Sequence, residues 1–352
     1  MTISRRWQSG AELGNVGYEV TTVSGSSFTV STSKKKTGAY AFRSHVSDYG
    51  KVAIPDTAQF RVGGHFNHNG LFGTGTNNRG VFFRWYNGAT VVGGVEWDKD
   101  TNQLRIYVGG TPVASVDAAL AGVAAVDTWF HIGVDVKIDA SAGWIYVYKD
   151  GVLVLNYDGN TATAGAAVNA ISFPGGANNG WNLYIYVDDV VIDDTTGESA
   201  PAKVPDRRFV LLTPNANGDA SGWTGSDGNN VDNYQLVDET PPNGDTDYVY
   251  AQAAGLQDLY NLTTYTVPND MVIAAVISLA VARKAAAEDD VQIKPLIKAG
   301  TTVAAGDPQD LPTSYSTPVW SRWTTNPDTG LAWTQSDIDS LQAGIESAGT
   351  FV

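Results

Sequence analysis

The chain has 352 residues, with 22 Lys and Arg against 37 Asp and Glu, 38 Gly, 10 Trp, 16 Tyr, no Cys and a formal net charge of −15. Without Cys there are no disulfides, thiolate metal sites or thiol nucleophiles. The acidic balance argues against general binding to nucleic acid or acidic membranes, which needs clustered Lys and Arg.

The N-terminal residues 1–7 are basic, but Gln8, Ser9, Gly10 and Glu12 follow at once, so no secretion signal is expected. Through residues 1–195 the pattern is of short strands separated by Gly, Asn, Asp and Ser. Residues 28–30, 39–43, 80–86 and 103–108 are rich in β-branched and aromatic types. The clearest hairpin joins residues 144–148 to 152–155 through Asp150-Gly151, a pair suited to a type I′ turn. Residues 181–192 supply a long last strand, and no helix is expected in this half.

Residues 196–205 hold two Pro, Ser and Lys without periodicity, a linker composition that separates a domain at 1–195 from one at 206–352. In the second domain, strands are expected at 207–213, 247–250, 258–267, 271–282, 291–298 and 319–323, with 214–219 as a loop. Residues 271–282, the most apolar window, alternate as a buried strand does and are too few for a bilayer span, which takes roughly 20. A helix is expected over 334–344, capped by Thr334 and ended by Gly344.

Candidate chemistry is sparse. His65 and His68 stand three apart, but the glycines around them oppose the helix that would make them chelate together. His131 reads as a strand residue more readily than as a general base, and no Ser-His-Asp set assembles. Glu96, Asp98 and Asp100 alternate along one strand and superficially resemble the Glu-x-Asp-x-Glu signature of a glucanase group. The last acid is Asp rather than Glu, and an unbulged strand separates the outer two by about 13 Å. Asp188, Asp189, Asp193 and Asp194 cluster near a strand end, where they suit either calcium ligation or solvation. Lys34, Lys35 and Lys36 read as a solvated turn. Trp85, Tyr86, Trp97, Trp181 and Tyr184 are the candidate carbohydrate platforms, since aromatic faces stack on sugars; the same types also fill cores and anchor interfaces.

Residues 31–43, 128–136, 143–152 and 183–192, in that order, resemble the laminin-G-like, or concanavalin-type, β-sandwich of tailed-bacteriophage virion proteins. Residues 206–215, Trp223, 237–242, 247–250 and 323–333 are similar to the region that follows such sandwiches in phage structural proteins. The resemblance implies an all-β chain of two β-sandwich, jelly-roll-like domains, the second closed by a short helix. It implies a non-enzymatic virion component without a resident cofactor, made in the host cytoplasm. The favoured role is a tail, fibre or baseplate adhesin that touches host-surface glycans, with a capsid decoration protein as the alternative and a glycan hydrolase as a minor one. Its partners would be tail, baseplate or major capsid subunits and further copies of itself, for instance in a trimer, with neither nucleic acid nor membrane insertion. The calcium and sugar residues of legume lectins do not map onto this sequence.

Overall fold

The computed structural model describes residues 4–45, 48–70, 78–174, 183–287, 290–316 and 318–351. The chain divides into two compact units, Met1–Val210 and Leu211–Val352, and the sheets of both are antiparallel.

Unit 1 begins with β1 (Ser4–Ser9), α1 (Val16–Glu19), β2 (Thr22–Ser24), β3 (Thr29–Ser31), β4 (Ala41–His45), β5 (Tyr49–Thr57), β6 (Gln59–His68), β7 (Arg79–Asn87) and β8 (Thr90–Asp98). It continues with β9 (Gln103–Val108), β10 (Thr111–Asp117), β11 (Phe130–Lys137), β12 (Gly143–Lys149), β13 (Val152–Gly159), β14 (Val168–Phe173) and β15 (Tyr184–Asp194). One sheet has the order β13-β12-β11-β6-β15-β4-β3, with β1 added beside β15, and the other has β10-β9-β8-β7-β14-β5-β2. Successive side chains alternate between faces, so Phe60, Val62 and Phe66 of β6 meet Phe83 and Trp85 of β7 between the sheets. Phe60 and Trp85 pack edge to face with centroids 5.8 Å apart. The intervening residues Arg61, Gly63 and His65 face outward.

The β12–β13 hairpin has the expected turn. Asp150 and Gly151 both take positive φ, at 47° and 78°, between the paired Lys149 and Val152. The expectation of no helix in this half is corrected by α1, a single turn in which the Asn15 side chain accepts from the Gly17 N–H at 2.9 Å. One turn is too short to show a helical period in sequence.

Residues 195–210 also depart from expectation. They lie docked as a strap on the outer face of the eight-stranded sheet. Glu198 pairs with Arg61, and the Ala202 N–H donates to Asp135 at 2.6 Å. Val204 is buried against Gly63 and Gly133, where an added Cβ would sit 2.7 and 2.6 Å from its side chain. The Phe209 N–H donates to Asp189 at 2.8 Å. The linker read at 196–205 is therefore a bound segment, and unit 1 extends to Val210. Composition reports the absence of periodicity, whereas the two glycines that make room for Val204 lie far away in sequence.

Unit 2 contains β16 (Pro214–Ser221), β17 (Thr224–Gly225), a 3₁₀ turn (Asn233–Leu236), β18 (Val249–Tyr250), β19 (Gln257–Leu262), β20 (Val276–Ala280) and β21 (Asp290–Ala299). It ends with β22 (Thr302–Ala305), β23 (Gln309–Asp310), β24 (Val319–Trp323), α2 (Gln335–Asp339) and β25 (Gln342–Thr350). Its main sheet has the order β16-β19-β25-β21-β22, with β23 beside β21, and β17–β18 and β20–β24 form two further pairs. Two clusters form its core, one around Ile297, Trp333 and Leu341, the other around Trp223, Ile293 and Leu311.

Three expectations are corrected in unit 2. No strand occupies 207–213, because the Phe209 N–H bonds a side chain instead of a ladder; the strand begins at Pro214, within the expected loop. Only Val276–Ala280 of the window 271–282 is strand. The helix capped by Thr334 stops at Asp339, and Gly344 sits inside β25. There an added Cβ would lie 1.9 Å from the Asp258 carbonyl oxygen, so the residue read as a helix stop is what lets β25 and β19 approach.

Candidate functional site

The platform candidates separate by burial. Trp85 is fully buried and Trp97 is 4% exposed, packed 4.9 Å from the His68 ring, so neither offers a face to a sugar. Tyr86 points out of the seven-stranded sheet, but the Lys51 ammonium sits 5.2 Å over its ring and only 6% of it is exposed. Tyr184 is half-buried, with the His45 ring 4.6 Å away and the Arg43 guanidinium 5.3 Å over it. Trp181 lies outside the described residues. The shared cause is position: alternation delivers Trp85 and Trp97 to the face where the sheets meet.

The acidic candidates are already partnered. Glu96 lies 2.9 Å from Arg105, with Arg79 at 3.5 Å, and Asp98 also pairs with Arg105. Asp100 is in the β8–β9 turn, accepting from the Asn78 backbone and amide at 3.1 and 2.9 Å. Glu96 and Asp98 thus share Arg105, and Asp100 lies beyond the end of β8. Asp193 and Asp194 pair with Arg5 and Arg6 of β1. Asp188 accepts from the Lys36 and Thr37 N–H groups at 2.8 and 3.2 Å, which ties the lysine turn to the sheet. Asp188, Asp193 and Asp194 thus bind groups of the chain, and among the described residues no group of three His, Asp or Glu could hold a metal ion.

A polar cluster that sequence reasoning missed lies beneath the strap. Asp189 sits at a bulge in β15 with φ 54°, which aims its carboxyl outward. His65 Nδ1 is 3.3 Å from Asp189 and its Nε2 is 3.0 Å from Asp206 on the strap. Burial works to lower the His65 pKa, but the two carboxylates overcome it and raise it to about 9. The His131 ring lies 5.2 Å away, and burial, then the charge on His65, lowers it to about 4. Burial pushes Glu12 up to about 7, and burial followed by the Asp189 charge raises Asp188. His65 and Asp189 hold the strap, and Glu12 and Asp188 each hold a loop. The histidines stand 66 residues apart and only the β6–β11 register, His131 opposite His65, joins them.

Exposed aromatic surface is found in unit 2. Among the described residues, Tyr248 and Tyr250 are the most exposed aromatic side chains, at 38% and 36%. Their centroids are 6.2 Å apart with planes inclined at 53°. Val249 between them packs toward the cluster of Trp223, Ile293 and Leu311, which fixes both tyrosines on the opposite side. The preceding loop adds polar groups: the Asn243 amide donates to Asp247 at 2.9 Å, and Asp245 accepts from Arg283 and the Tyr315 hydroxyl at 2.9 and 3.0 Å. A two-ring ridge, preceded in the chain by a loop of carboxylates and an amide, can stack on a sugar. The signal was present as Tyr-Val-Tyr alternation at 248–250, but its outward face was not legible.

No protein-family model and no curated protein matches the sequence. Among solved structures, the botulinum neurotoxin DC binding domain in complex with rat synaptotagmin II is 12% identical, covering 86% of this chain and 78% of that one at a TM-score of 0.40. Domain 4 of an extracellular arabinanase from Geobacillus stearothermophilus, in complex with arabinotriose, is 13% identical, covering 55% and 94% at 0.38. A galectin from Caenorhabditis elegans is 9% identical, covering 41% and 89% at 0.29. At these scores no residue or role transfers from them, and the all-β architecture rests on the strand order itself.

Proposed function

We propose that this chain is a non-enzymatic binding protein of the bacteriophage particle, a tail-associated adhesin whose contact with host glycans is the Tyr248–Tyr250 ridge. The observation that carries glycan recognition is that these two rings, the most exposed of the described aromatics, stand side by side. Rings left in water at a cost in apolar hydration are what a stacking platform requires. The partnering of Glu96 and Asp98 by arginine supports a binding role over a hydrolytic one. The phage setting rests on the resemblance of the ordered segments described above.

The test is a glycan array probed with the assembled full chain, beside Tyr248→Ala and Tyr250→Ala. Each substitution is expected to weaken a positive glycan about tenfold, the equivalent of one stacking contact of about 1.4 kcal/mol. No glycan bound by the wild type, or equal binding by both variants, would overturn the reading. Antibody labelling of particles that decorates the head and leaves the tail bare would decide for the capsid-decoration alternative.

A further inference from the structure

The most apolar window of the chain, residues 271–282, holds no charged residue, yet Ser278 is its one buried member. Val272 and Leu279 are exposed. Within the window β20 pairs with β24 alone, with Ile277 opposite Arg322 and Leu279 opposite Trp320. Val276 and Ala280 pack into the two core clusters of unit 2, so alternation puts the Ile277 and Leu279 side chains on the outer face.

The backbone of β20 has a free edge. In an antiparallel pair, opposed residues alternate between exchanging backbone bonds and turning their N–H and C=O groups away from each other. The Trp320 N–H donates to the Gln309 side-chain oxygen at 3.2 Å, and its carbonyl accepts from the Gln309 amide at 2.9 Å. Trp320 and Leu279 are therefore a pair of the second kind. Val276, Ser278 and Ala280 then take the bonds to β24, while the N–H and C=O of Ile277 and Leu279 face the opposite edge. Among the described residues no strand pairs with β20 along that edge, and no backbone group there bonds Ile277 or Leu279.

Exposed edges are usually defended by a charge, a proline or a bulge. β20 carries neither charge nor proline, and its register with β24 runs without a shift. The free edge is also self-complementary. Its two edge-facing residues stand one on each side of Ser278, so a two-fold axis through Ser278 sets Ile277 opposite Leu279 of the second copy, and Leu279 opposite Ile277 of the second copy. Each pair exchanges two backbone bonds, and the apolar side chains of both copies meet on one face beside Trp320.

We propose that the free edge of β20 is a self-association surface, on which two copies of this chain pair antiparallel about Ser278 in a continuous sheet of order β24-β20-β20-β24. The pairing uses up both edges, so it closes as a dimer and does not propagate. An edge of five residues is smaller than a standard interface, which makes the dimer a weak one. The proposal does not rest on glycan binding.

Sedimentation equilibrium of the full chain tests it, beside hydrogen exchange at several protein concentrations. Expected is a monomer–dimer equilibrium with a dissociation constant on the order of 10 μM. Exchange at residues 276–280 should slow as concentration rises, while residues 59–68 of β6 stay unchanged. Leu279→Lys should weaken association about tenfold, because it sets a charge where two apolar faces meet. Cysteine pairing reads the register, since the chain has no Cys of its own. Oxidation of a mixture of Ile277→Cys and Leu279→Cys chains should give a cross-linked dimer, and either variant alone far less. Should Leu279→Lys fail to fold, the cysteine variants and the wild-type exchange profile decide. A wild type that stays monomeric at about 100 μM would overturn the proposal. So would association unchanged in Leu279→Lys, exchange at 276–280 that ignores concentration, or cross-linking as ready in either cysteine variant alone as in the mixture.

Discussion

Substituting His65 by Gln should change how the stability of unit 1 depends on pH. In the folded chain this imidazole is held between Asp189 and Asp206, and its pKa rises from 6.5 to about 9. A raised pKa means the folded state binds the proton more tightly. The stability it supplies is therefore complete below about pH 6.5 and disappears as pH climbs through 9. With one pKa unit worth 1.36 kcal/mol and the side chain only 2% exposed, the loss between those limits is about 3 kcal/mol. Glu12 and Glu19, raised to about 7 by burial, pull in the same direction but have finished titrating by pH 8. His131, lowered to about 4, opposes them only as pH falls below 6.5. The assay is urea unfolding of the full chain from pH 6 to 10, with pulsed deuterium labelling read at residues 59–68 and 130–137 to follow unit 1. Wild type should lose about 3 kcal/mol more than His65→Gln across this range. Parallel pH profiles for the two proteins would refute the ion-paired role of His65.

Three more outcomes follow from the packing. Gly133→Ala places a methyl 2.6 Å from the Val204 Cβ, so it should destabilise unit 1 by about 1–3 kcal/mol and raise hydrogen exchange across residues 198–210, with Val204→Ala partly relieving it. Glu96→Gln leaves the buried Arg105 with Asp98 alone and should cost about 1–3 kcal/mol in urea unfolding; in the same preparation, loss of a reducing-sugar release shown by wild type would instead restore the hydrolase reading. Gly344→Ala drives a methyl to 1.9 Å from the Asp258 carbonyl and should break the β19–β25 ladder, seen as lost amide protection at 257–262 with β6 unaffected.

Alternation and turn chemistry were legible without a structure. Aromatic and β-branched runs at 80–86, 103–108 and 144–155 located strands that the fold contains, and Asp150-Gly151 marked its turn, because these signals act within a few residues. Tyr248 and Tyr250 could be placed on one strand face in the same way. What sequence could not show was which face meets the core. Trp85 and Trp97 are as aromatic as Tyr248 and Tyr250, yet the first pair is enclosed between two sheets and the second stands in solvent.

The tertiary structure alone decided the rest, through pairings between residues far apart in the chain. It put His65 beside His131, and Val204 in the space left by Gly63 and Gly133. It also gave the acidic residues their partners, Arg5, Arg6 and Arg105, which composition counts but does not locate. Local periodicity is a property of neighbouring side chains on one backbone, so the sequence by itself determined strands, turns and an all-β class. Burial, charge partners and docked segments are properties of strand order and register, and these exist only once the sheets have assembled.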